Sequence, residues 1–172
     1  MTARFWSALG LIALAAGARL IPHLPNVTPV IAMALLSGAA FQRKSWSILI
    51  PLAAMCLSDL ALGSHDQMVS VYGSIVLVSL LGFALSRKLS VTRIGAASVI
   101  SSLLFFIITN FTVWISSGMY PRTSSGLFEC YVMALPFLRN GLVGDLGYSA
   151  LLFGAWALIN NRLRAPENLR TI

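Results

Sequence analysis

Residues 94–115 read IGAASVISSLLFFIITNFTVWI, and this stretch decides the fold class. As a helix it is long enough to cross the hydrocarbon core of a bilayer, which is roughly 30 Å thick, and it contains no charged residue. The rest of the chain has the same character, because 58% of its residues are hydrophobic and only 10% are charged. Soluble domains carry about 25% charged residues. The sequence therefore predicts an all-α integral membrane protein.

Six apolar segments predict a bundle of six transmembrane helices in a single domain, 1–172. The second and third segments are short for membrane spans. The long segment 116–140 is rich in aromatic residues and prolines, so we expect an ordered lid loop there. The predicted helices cover residues 5–21, 28–41, 46–62, 68–85, 94–115 and 141–159.

The basic residues predict the orientation of this bundle. Most of the 12 lysines and arginines lie in patches that alternate with segments lacking such clusters, at 22–27, 63–67 and 116–140. The positive-inside rule places the patches and both termini in the cytoplasm, so those three segments face outward. The net charge of +7 is dispersed between apolar spans and does not indicate nucleic-acid binding. The patches are Arg4; Arg43 and Lys44; Arg87, Lys88 and Arg93; and Arg162, Arg164 and Arg170.

The first apolar segment has a second interpretation. Arg4, the apolar run and the small residues 16–18 also fit a cleavable signal peptide. Retaining the segment gives an even number of spans with every basic patch on one side, and we therefore expect it to be kept.

The first two outer segments hold four candidate binding residues: Arg19, His23, Asn26 and Asp59. Prolines on both sides of His23 and Asn26 prevent a continuous helix and favour an extended turn. Asp59 lies inside the third predicted helix, where a carboxylate needs a partner. Arg19 lies at a similar depth, so the sequence predicts an Arg19–Asp59 ion pair, and the same residues remain candidates for ligand binding.

The last outer segment and its flanking helices supply the other candidates: Asn110, Trp114, Tyr120, Arg139 and Asp145. Trp114 and Tyr120 also fit anchors at the membrane interface. Asp145 is a second intramembrane acid, and we expect its partner to be Arg139 or Arg19. Buried arginines suit a carboxylate or phosphate on a ligand, and aromatic residues suit a flat ring.

Small residues predict two close-packing faces. Ala13 and Gly17 form one on the first helix, and residues 38–40 form another on the second. Such faces let helices approach closely in a membrane. They serve either packing within the bundle or docking of a separate membrane subunit.

The sequence gives weaker support to an enzyme or a metal site than to a binding site. The chain has no nucleotide-binding loop and no nucleophile–base arrangement, so we predict no enzymatic activity and no cofactor. An enzyme would need two titratable groups within hydrogen-bond reach in one cavity, and the candidates are Asp59, His23 and Glu129. A metal site would need distant residues such as His65 and Cys56 to converge. A Cys56–Cys130 disulfide is a further open alternative.

Several motifs together resemble an uncharacterised bacterial membrane-protein family grouped with transport proteins. That family is in turn similar to the substrate-binding S components of energy-coupling factor (ECF) vitamin transporters. The resemblance covers roughly residues 19–155. The motifs that carry it are Arg19…Pro22-His23…Pro25-Asn26-Val27-Thr28-Pro29; Ser58-Asp59…Gly63; Val71-Tyr72; Phe105-Phe106…Thr109-Asn110-Phe111…Trp114; and Tyr120-Pro121…Gly126-Leu127…Cys130-Tyr131…Pro136-Phe137.

The resemblance implies a location and a mode of action. S components have six helices with both termini in the cytoplasm, which places this chain in the bacterial inner membrane. They bind a vitamin or vitamin precursor in an outward pocket, and small residues of their first helix dock onto a coupling membrane subunit driven by two ATPases. Ala13 and Gly17 are the matching positions here, although the family usually has alanine at both.

The sequence therefore predicts a membrane transport protein that captures a small molecule on the extracytoplasmic side. An alternative is a non-transporting structural or assembly subunit of a larger membrane complex. A further alternative is a cobalamin transporter, because a subgroup resembling S components binds cobalamin through a cysteine on cobalt. Cys56 would be that ligand here.

Overall fold

The computed structural model describes residues 3–22, 24–63 and 66–164, with side chains as far as Asn161. The described chain is all-helical with six helices, which confirms the all-α part of the predicted fold class. Four helices, α3 to α6, are long and apolar enough to cross a membrane, whereas α1 and α2 are shorter. The helices are α1 Ala3–Ala18, α2 Val30–Ala40, α3 Lys44–Leu62, α4 Met68–Leu85, α5 Val91–Ser116 and α6 Ser124–Arg164.

The short helix α2 is the centre of the bundle. Every residue from Val30 to Ala39 is buried, and α2 contacts each of the other five helices. A helix that is apolar on all sides is stable when protein surrounds it. Its environment is therefore protein rather than lipid, so its 11 residues need not match the length of about 20 that a lipid-facing span requires.

Two glycines bring α2 and α4 into backbone contact. A Cβ on Gly38 would lie 2.1 Å from the Ser79 carbonyl oxygen, and one on Gly82 would lie 2.4 Å from the Leu35 carbonyl oxygen. Any side chain at either position would force the helices apart. The predicted small-residue face at 38–40 therefore serves packing within the bundle.

Helix α6 corrects the largest error of the sequence-based prediction. Residues 116–140 were expected to form a lid loop, but only 117–123 connect α5 to α6, and α6 runs from Ser124 with Pro136 inside it. An internal proline removes one helical hydrogen bond, and packing against α5 compensates. Tyr131, one and a half turns before Pro136, donates its hydroxyl hydrogen to the Ile107 carbonyl oxygen of α5 at 2.8 Å.

Contacts between helix termini define two ends of the bundle. At the first, named the Arg43 end, the Phe5 ring lies 4.9 Å from the Phe41 ring and Trp156 donates to the Arg4 carbonyl oxygen at 3.5 Å. At the opposite end, named the Arg19 end, Asn140 donates to the Pro25 carbonyl oxygen at 3.3 Å. The described basic patches at 4, 43–44 and 87–88 all belong to the Arg43 end, while Arg170 lies outside the described residues.

The exterior of the bundle is apolar. Val69 is 86% exposed, Leu60 78% and Leu14 73%, and many other large apolar side chains are exposed around the helices. A soluble monomer rarely presents so much contiguous apolar surface. Together with the four long apolar helices, this exterior indicates a membrane protein.

Candidate functional site

A cavity of about 180 Å³ opens at the Arg19 end. Helices α2 to α6 and the connection between α1 and α2 contribute to its wall. The polar lining residues are Arg19, Asn26, Thr28, Ser102, Thr109, Asn110 and Asp145, and the aromatic ones are Phe105, Phe106 and Phe137.

Helical periodicity explains why most of these side chains point toward the same cavity. On α5, residues 102, 105–106 and 109–110 recur every three or four positions and so share one face. On α6, residues 137–138, 141 and 145 do the same. Gly141 leaves room between them, because a Cβ there would have its nearest neighbour, the Asn26 carbonyl oxygen, 4.0 Å away. A longer side chain at this position would enter the cavity.

The connection between α1 and α2 forms one wall through a proline-rich turn. Asn26 has a backbone φ of 63°, a left-handed conformation that asparagine tolerates better than most residues. Val27 donates its backbone hydrogen to the Leu24 carbonyl oxygen at 3.0 Å, closing the turn. The predicted turn is present, and His23 lies outside the described residues.

Arg19 and Asp59 form the predicted ion pair. Arg19 Nη1 lies 3.0 Å from Asp59 Oδ1, and both side chains are largely buried. Arg19 Nη1 also donates to Ser58 Oγ, and the Tyr72 hydroxyl donates to Asp59 Oδ2 at 2.9 Å. Both carboxylate oxygens of Asp59 therefore have partners. The cluster joins α3, α4 and the end of α1.

Asp145 has a different environment, and both predicted partners are wrong. Its carboxylate accepts a hydrogen bond from Ser102 Oγ on α5, at 2.6 Å from Oδ2. Arg19 pairs with Asp59 instead. Arg139 is exposed, because six residues along a helix of 3.6 residues per turn place it on a different face from Asp145. Within residues 3–22, 24–63 and 66–161 no cation forms a salt bridge with Asp145.

The predicted site is only partly assembled. Arg19, Asn26, Asn110 and Asp145 line the cavity, and Asp59 supports it through Arg19. Three other candidates do not line it: Trp114, Tyr120 and Arg139. Trp114 Nε1 donates to the Pro121 carbonyl oxygen at 3.0 Å and so fixes the short turn between α5 and α6.

The sequence-based prediction included Asn110 of α5 but missed four other α5 residues that line the cavity: Ser102, Phe105, Phe106 and Thr109. Ser102 and Thr109 line the cavity seven positions apart, which corresponds to two helical turns on one face. Phe105 and Phe106 lie between them. This spacing was visible in the sequence, but serine and threonine are common in membrane helices as packing residues, so the spacing alone did not mark a site.

The cysteines do not converge on the cavity. Both are free thiols, with Cys56 exposed and Cys130 buried, so the Cys56–Cys130 disulfide is absent. Cys130 lies 3.5 Å from the Asn110 carbonyl oxygen. The described residues contain no group of three or more metal-binding side chains, and His65 lies outside them. Glu129 is exposed on α6 and does not meet Asp59.

The small residues of α1 remain uncovered by the rest of the chain. Ala13 and Gly17 are exposed and line an apolar groove of about 380 Å³ between α1 and α3. A Cβ on Gly17 would meet no atom within 4 Å. This face differs from the glycine face of α2, which α4 fills.

Comparison with known proteins gives a family but no function. No curated protein matches the chain, and no solved structure matches it. A model of a family of unknown function, DUF6580, matches residues 1–167. The chain therefore belongs to the DUF6580 family.

Proposed function

We propose that this protein captures a small molecule in the cavity at the Arg19 end and delivers it for uptake across the bacterial inner membrane. The observation that carries the proposal is the cavity itself. Polar and charged side chains line it within an otherwise apolar bundle, and such groups are costly in a membrane unless they pair with one another or bind a ligand. Concave sites with a few convergent polar groups are typical of small-molecule binding.

The direction of capture follows from the basic residues. The patches at 4, 43–44 and 87–88 share the Arg43 end of the bundle, and the positive-inside rule favours a cytoplasmic location for them. With six membrane-embedded helices and both termini inside, the cavity faces the extracytoplasmic side. The resemblance to S components supports the same orientation and a vitamin or vitamin precursor as the ligand.

A partner subunit would supply the energy for uptake. The chain has no nucleotide-binding loop, and the open groove beside Ala13 and Gly17 offers a surface for a membrane helix of a coupling subunit with ATPases. The same groove favours the second candidate function, a structural subunit without a ligand. A corrinoid is far larger than a cavity of about 180 Å³, and Cys56 does not line this cavity, so cobalamin capture has less support.

A screen with matched glycine variants tests capture. The purified protein in detergent is screened by thermal shift against vitamins, their precursors and other small metabolites, and we expect at least one to raise the unfolding temperature. Gly141→Leu should abolish that shift, because the leucine side chain fills the cavity. Gly147→Leu is the control on the same helix, since a Cβ there meets nothing within 4 Å.

Two results would contradict capture. One is that no compound in the screen stabilises the protein. The other is that Gly141→Leu binds the stabilising compound as tightly as the Gly147→Leu control does. A deletion phenotype that Gly141→Leu still complements would favour the structural subunit.

A further inference from the structure

The charged groups around the cavity are not balanced. Arg19 is neutralised by Asp59 at 3.0 Å, and the second oxygen of Asp59 accepts the Tyr72 hydrogen bond at 2.9 Å. Asp145 has only the neutral hydroxyl of Ser102 as a partner within the described residues. Among the residues that the structure describes, the cavity therefore has one matched ion pair and one acid without a cation.

Asp145 is placed to meet a ligand. Its side chain is 5% exposed overall, yet it lines the cavity. Oδ2 accepts from Ser102, while Oδ1 accepts no hydrogen bond from the part of the chain that the structure describes. A buried carboxylate without a cation is costly. A positively charged donor that reaches Oδ1 from the cavity would remove that cost.

The rest of the wall indicates the shape of such a ligand. Phe105, Phe106 and Phe137 line the cavity, and the faces of aromatic rings attract cations as well as other rings. The volume of about 180 Å³ is close to that of an engineered cavity of about 150 Å³ that binds benzene. The space fits one ring with a small substituent.

We propose that the ligand is an organic cation built on a single ring, with an N–H donor bound to Asp145 Oδ1 and its ring against the phenylalanines. This inference rests on the proposed capture function and names its substrate class. It replaces the sequence-based expectation of a carboxylate or phosphate ligand, because Asp59 already neutralises the charge of Arg19.

Three ring compounds of nearly equal shape separate charge from size. Benzamidine is a cation at neutral pH, benzamide is neutral and benzoate is an anion. Their binding to the purified protein is measured by calorimetry at millimolar concentrations. We expect benzamidine to bind at least about tenfold more tightly than benzamide, because a hydrogen bond between charged groups exceeds a neutral one by that factor, and benzoate to bind most weakly.

Two variants assign the preference to one carboxylate. Asp145→Asn keeps an acceptor for Ser102 and should remove the preference for benzamidine over benzamide. Glu129→Gln removes an exposed carboxylate of the same helix and should leave the preference unchanged. Gly141→Leu should prevent binding of all three compounds.

The outcomes distinguish this inference from the capture function. If benzoate or benzamide binds best and Gly141→Leu abolishes that binding, the cavity captures ligands but the cationic class is wrong. The class is also wrong if Asp145→Asn retains the preference for benzamidine. If none of the three compounds binds, and no compound in the wider screen does, both the inference and the capture function fail.

Discussion

Asp59 and Asp145 are two aspartates of equal burial in one membrane bundle, each 5% exposed, but their partners differ. Asp59 is held by a cation and a tyrosine hydroxyl, so both of its carboxylate oxygens have a partner. Asp145 has one neutral partner and faces a cavity. The difference separates an acid that holds helices together from an acid available to a ligand.

The surroundings of each acid explain the difference. Asp59 lies in the last turn of α3, next to Arg19, which follows α1, and Tyr72, which is in the second turn of α4. Three segments therefore meet at this point, and the ion pair fixes them together. Asp145 lies on the side of α6 that packs against α5. Three serines, Ser98 and Ser102 of α5 and Ser149 of α6, line the contact between the two helices there. The serines are small, and they leave space beside the carboxylate.

Removing the cation of the Asp59 cluster should have the largest effect on stability. Arg19→Met leaves a buried carboxylate without its partner, and such a change costs about 3–5 kcal/mol in known buried pairs. Unfolding in mixed micelles measures the loss. The double variant Arg19→Met with Asp59→Leu should recover most of it, because no unpaired charge remains. A single variant as stable as the parent would show that the pair does not hold the helices.

Removing the tyrosine hydroxyl should have an intermediate effect. Tyr72→Phe deletes one hydrogen bond to a charged acceptor, which contributes about 1.5–3 kcal/mol. The same unfolding assay measures it. Tyr148→Phe on α6 is the control, because Tyr148 packs against the core and its hydroxyl makes no hydrogen bond within the described residues. Equal losses in the two variants would contradict the role given to the Tyr72 hydroxyl.

Asp145→Asn should have the smallest effect on stability, below about 1 kcal/mol, because the amide oxygen still accepts from Ser102 and no buried charge remains. Its main effect should be on ligand binding. A destabilisation as large as that of Arg19→Met would mean that Asp145 holds the bundle together in the way that Asp59 does. The contrast between the two acids would then be wrong.

The Arg19–Asp59 pair was predictable because depth in the membrane restricts the choice of partners. Arg19 follows the first predicted helix and Asp59 lies near the end of the third. Helices that cross in alternating directions bring these two ends to the same side of the membrane, and Arg19 is the nearest cation to Asp59 at that depth. Asp145 lies deeper, and its partner Ser102 is 43 positions earlier in the chain. Finding that contact requires the packing register of α5 against α6, which the sequence does not provide.

The start of α6 could not be recognised from composition. Pro136 and the aromatic residues around it are typical of a loop, yet α5 holds this segment as a helix through Tyr131. A weaker signal was present. Gly126, Cys130 and Ala134 are buried at intervals of four, the spacing of a helix face.

The apolar pattern also located α2 in the sequence. Its central position depends on the close approach of α2 and α4 at Gly38 and Gly82, which only the structure establishes.

The central claim is that Asp145, unlike Asp59, is available to a cationic ligand. The ratio of the benzamidine and benzamide dissociation constants, measured by calorimetry for the parent protein and for Asp145→Asn, tests it most directly. We predict that the parent prefers benzamidine by about tenfold or more and that the variant binds the two compounds equally. An unchanged ratio in Asp145→Asn would contradict the claim.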